Sequence, residues 1–61
     1  MPKLTDKELK VLEDHLGSEK LMVNKFRSYA AMTADPQIRC QCEHIATRHQ
    51  NHFNRLIGFL G

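Results

Sequence analysis

The chain has no block of like charge, no long apolar run and very little proline or glycine. Its nine basic and seven acidic residues are spread over 61 positions, for a formal net charge of +2. A basic stripe able to track phosphates is missing, which argues against nucleic acid as a partner. No apolar stretch approaches the roughly 20 residues needed to cross a bilayer. The opening MPKLTDKELK also lacks the apolar core of a signal peptide. The expectation is a soluble, non-secreted protein with no membrane partner. Cys40 and Cys42 stand two residues apart, a spacing that turns the thiols to different sides of a helix and suits neither a mutual disulfide nor a shared metal. Free thiols fit a reducing compartment. There is no linker and no low-complexity segment, so a single domain over residues 1–61 is expected. A domain this short buries a modest share of its surface, which makes self-association the default.

What the sequence does have is helical punctuation. Thr5 followed three residues later by Glu8 is a capping box, in which each side chain satisfies a backbone amide of the other. Downstream, Leu9, Leu12, Leu16, Glu19, Val23, Phe26, Ala30 and Thr33 recur at steps of three and four, the period of a supercoiling seam. The spacing predicts a first helix over about 6–33. A turn at 34–35 follows, because Asp35 is a good N-cap, Pro36 suits the first helical position, and proline disfavours helical geometry in the residue before it. A second helix over about 36–60 carries Ile38, Cys42, Ile45, His49, His52, Leu56 and Phe59, with Ala46, Phe53 and Leu60 widening its apolar face. At about 1.5 Å per residue the two helices match in length and fold back as an antiparallel hairpin. Phe26 and Leu56, on facing seams, are expected in the core. Met22, Tyr29, Phe53 and Leu60 extend the apolar face beyond a two-helix contact. The expected fold is therefore all-α, a hairpin that forms a homodimer and closes as an antiparallel four-helix bundle.

Three ionisable residues, Glu19, His49 and His52, occupy seam positions where leucine is the ordinary choice. With the turn centred between Ala34 and Asp35, Glu19 comes level with residue 50, between the two histidines. The two polar breaks, read on separate helices, coincide in space. His49 and His52 stand one turn apart on one face, where two imidazoles can share an ion, and Glu19 supplies a carboxylate opposite. Such a set suits zinc, iron, manganese or copper better than calcium or magnesium, which prefer oxygen ligands. A polar layer in a seam can equally fix register and oligomeric state without an ion, with the histidines hydrogen-bonded to Glu19. His15, one turn before Glu19 on the seam's flank, reads as a half-exposed surface histidine, with a hydrogen-bonding partner to this layer as the alternative. His44 and the charged Lys7, Lys10, Glu13, Lys20, Arg27, Arg39 and Arg48 fall off the stripe and read as solvated.

A glutamate on one helix facing a ligand pair one turn apart on the next resembles half of a ferritin-like bundle, in which the pair is Glu-x-x-His. The stretch Leu16-Gly17-Ser18-Glu19-Lys20, with His49-Gln50-Asn51-His52-Phe53-Asn54, also resembles the small Coat F family of spore-coat proteins from endospore-forming bacteria. That resemblance spans nearly the whole chain. It implies a ferritin-like dimer with a structural or assembly role, other coat proteins as possible partners, and a place in the mother-cell cytoplasm or the spore coat. It also implies that Glu19 and His52 occupy the positions of the family's carboxylate and histidine. His49 departs from the pattern, standing where a second carboxylate is expected. A dimer would then hold two carboxylates where a di-iron enzyme has four, which leaves less charge to stabilise oxidised iron. A structural protein with a zinc or iron site and a small metalloprotein that binds or oxidises iron are the two readings that follow, with no catalytic residue assigned in either.

Overall fold

The computed structural model describes residues 3–60 and consists of two long helices, α1 (Asp6–Met32) and α2 (Pro36–Ile57), followed by a 3₁₀ turn over Gly58–Leu60. The capping box forms as read: the Glu8 amide donates to Thr5 Oγ1 at 3.1 Å, and the Thr5 amide donates to Glu8 Oε1 at 3.0 Å. Asp35 caps α2, its Oδ1 accepting from the amides of Gln37 and Ile38, with Pro36 in the first position.

The helix ends differ slightly from expectation. Thr33 is extended (φ −80°, ψ 141°) and lies just outside α1. Its hydroxyl accepts the Asp35 amide at 3.1 Å, a local bond that competes with helical continuation. At the other end the α-helical pattern stops at Ile57 and tightens into the 3₁₀ turn, in which i→i+3 bonds take up carbonyls at the end of the helix. Arg39 also departs from its reading as a solvated residue. Its guanidinium reaches back to α1, donating from Nε to Ala30 O at 3.3 Å and from Nη2 to Thr33 O at 3.0 Å. The last turn of α1 contains no basic residue of its own, so α2 supplies the cation that the carbonyl end of the helix favours.

The two helices form a single layer, 46 × 16 × 10 Å in extent. Leu12, Val23, Ala30, Cys42 and Ala46 are buried between them. Phe26 and Leu56 are half-buried in the single hairpin, where burial in the core had been expected. Both broad faces lack a covering element, and Val11, Tyr29, Ile38, Ile57, Phe59 and Leu60 are exposed. A folded monomer of this mass is expected to expose about 4,100 Å², whereas the chain exposes 4892 Å².

Candidate metal centre

The two helices bring Glu19, His49 and His52 together at mid-length. Glu19 lies on the inner side of α1, one turn beyond Leu16 and one before Val23; the histidines lie on successive turns of α2. His49 Nδ1 is 2.6 Å from Glu19 Oε1, and His52 Nδ1 is 3.1 Å from Oε2, so each imidazole addresses its own carboxylate oxygen. An ionised carboxylate only accepts, so each facing ring nitrogen serves as the donor in this arrangement. Ligand atoms from all three residues lie within 4.8 Å of one another.

Packing sets the ring orientations. Phe26 stacks on His49, with centroids 6.3 Å apart and planes 12° from parallel, and meets Tyr29 edge-on at 5.6 Å. His52 stands at 89° to His49, with centroids 5.9 Å apart. Burial is graded across the cluster: the side chains of Glu19 and His49 are 18% and 24% exposed, and that of His52 is 49% exposed. The cluster is thus closed toward α1 and open past His52. Hydrogen bonding from His49 holds the Glu19 carboxyl below the usual carboxylate range, against the opposing effect of desolvation, with the nearby charge of both imidazoles adding to the lowering.

The donor set fits a transition metal. A tetrahedral zinc ion with bonds of about 2.0–2.2 Å separates its ligand atoms by about 3.3–3.6 Å. The observed separations of 2.6 and 3.1 Å are those of hydrogen bonds, so an ion would displace the bridging protons and part the groups by less than about 1 Å. Two imidazoles and one carboxylate on a tetrahedral ion leave one position free. The cluster also satisfies itself: among the described residues no buried side-chain nitrogen or oxygen lacks a hydrogen-bond partner.

His15 is absent from this set of three, yet it lines an open cleft of about 310 Å³ together with Ser18, Glu19 and Leu56. Its spacing of four residues from Glu19 is the signal of this position in the sequence. His44 and Cys40 are exposed beside one another on the far face of α2, and Cys42 is buried, as the stripe predicted. No described helix is long and apolar enough to cross a membrane. Comparison with protein-family models, curated proteins and solved structures finds no match to this chain.

Proposed function

We propose that the chain forms one half of a homodimeric four-helix bundle that binds a divalent transition metal, zinc or iron, on Glu19, His49 and His52, and that the bundle serves a structural or assembly role of the spore-coat kind. The observation that carries the metal reading is the convergence of the three residues, from two helices, on one point. All three stand where a packed seam would otherwise be apolar, and ionisable groups gathered in this way are concentrated at functional sites. The dimer reading draws on surface area. The excess exposed surface of about 800 Å² is the amount one partner contributes to a standard interface. The assembly role and any coat-protein partners rest on the sequence resemblance alone.

A second reading draws on the 2.6 Å bond between His49 and Glu19. A Glu-His-His layer that satisfies its own hydrogen bonds can specify register without an ion. Substituting leucine for Glu19, His49 and His52 together separates the two. On the metal reading, zinc, cobalt and iron(II) each raise the melting temperature of the parent dimer, and the leucine variant stays dimeric but loses that response. A parent that sediments as a monomer refutes the bundle. A dimeric parent with neither bound metal nor a thermal shift, and a leucine variant that loses its dimeric state, would assign the layer to specificity.

A further inference from the structure

The polar layer continues past the edge of the hairpin's inner seam, along two stripes that share residues with it, Phe26 and His52 among them. A second stripe on α1, about a quarter turn from Leu12 and Val23 at 100° per residue, runs through Val11, His15, Ser18, Met22, Phe26 and Tyr29. On α2 a matching stripe recurs every seventh residue as Ile38, Ile45, His52 and Phe59, the last in the 3₁₀ turn. The polar members of both stripes are His15, Ser18 and His52, and they fall at the level of Glu19. Val11, Tyr29, Ile38 and Phe59 are exposed to either side of that level.

His15 stands four residues before Glu19 on α1, the spacing at which two side chains of one helix face can grip a common ion. Both residues line the cleft of about 310 Å³, with Ser18 and Leu56. His15 and Leu56 also border an apolar trough of about 390 Å³ lined by Leu4, Val11, Leu12 and Phe59 among others, so the two hollows adjoin at this histidine. The cleft therefore presents one further imidazole beside the carboxylate of a three-ligand set that leaves a tetrahedral ion one ligand short.

We propose that His15 is the fourth ligand of the site, its imidazole turning toward Glu19 to take the free position on the bound ion. This rests on the metal reading above and adds a residue to it. The test is a cobalt(II) titration of the full-length protein, followed by visible absorption and by competition with a chelator. Four protein ligands give cobalt the intense visible bands of a tetrahedral site, and replacing one with water changes both their position and their strength. His15→Ala should lower cobalt and zinc affinity about tenfold or more and alter the bands, and His15→Gln should do the same. His44→Ala, at an exposed position on α2 away from the cluster, should match the parent. Helicity measured by circular dichroism establishes that each variant is folded. Parental affinity and an unchanged spectrum in folded His15 variants would overturn this proposal while leaving Glu19, His49 and His52 as the site. A parent that takes up no cobalt would overturn both.

Discussion

The turn end and the open end of the hairpin close by different means. Toward the turn the buried positions are mostly small, Ala30, Cys42 and Ala46, and Val23 is fully covered. Small side chains let two helices approach closely enough to exclude water without help, and Arg39 fastens the same end by bonding the last carbonyls of α1. At the open end the residues are larger. Leu12 is buried, but Val11, Ile57, Phe59 and Leu60 are exposed, since bulky groups on a single layer have nothing above them to fill the space between. The first end is closed between its two helices, with Tyr29, Met32 and Ile38 exposed on its outer faces; the second is less closed even between the helices, and the Glu19 cluster sits between them.

The largest effect is expected at the open end. Leu12→Ala should cost about 2–5 kcal/mol, and its melting temperature should fall more steeply on dilution than the parent's if, as in the proposed dimer, this half is completed by association. A loss independent of concentration would mean that the open end is as self-sufficient as the turn end. Arg39→Ala acts on the opposite half and should cost about 1 kcal/mol through lost carbonyl bonds and lost helix-end charge. Its dimer dissociation, followed by sedimentation, should stay close to parental. A large rise in dissociation would erase the distinction between the two ends.

The smallest expected effect belongs to the boundary. Because Glu19 has a lowered pKa when folded, its contribution to metal-free stability is fully present above the ordinary carboxylate value of about 4.3. That contribution is lost as pH falls through the folded value. Glu19→Gln should flatten this acid limb in thermal melts of metal-free protein. An acid limb identical in both proteins would show that the His49 contact adds nothing to stability.

The hairpin and its polar cluster could be read from the sequence, because their causes are local or periodic. Thr5, Glu8, Asp35 and Pro36 act within a few residues of themselves, so the starts of both helices were legible. The convergence of Glu19 with His49 and His52 was legible because the tight turn fixes which levels meet. Outcomes that depend on reach or on competing bonds were not legible. Arg39 lies off the apolar stripe, and only its long side chain carries it back to α1. Thr33 fits the seam spacing, but its hydroxyl bonds the turn and leaves the helix. Ala46, read as widening the face, is among the most buried residues, since at the level of Val23 the helix approach rewards small size. Phe26 and Leu56 fit the seam and remain half-buried, because periodicity identifies a face without saying how many layers cover it.

The contacts of the hairpin also differ in the length of loop that each one closes. Arg39 and Ala30 are separated by nine residues, His49 and Glu19 by thirty. Closing the longer loop directly costs about 1 kcal/mol more in chain entropy. Loop entropy therefore favours a chain that zips from the turn, small residues first, and on that order the carboxylate would meet the imidazoles only after that half has formed. Contacts made late in folding govern how fast a protein comes apart more than how fast it forms. An ion held by the Glu19 cluster would thus act as a brake on unfolding, lengthening the life of the folded state while leaving the folding rate nearly unchanged.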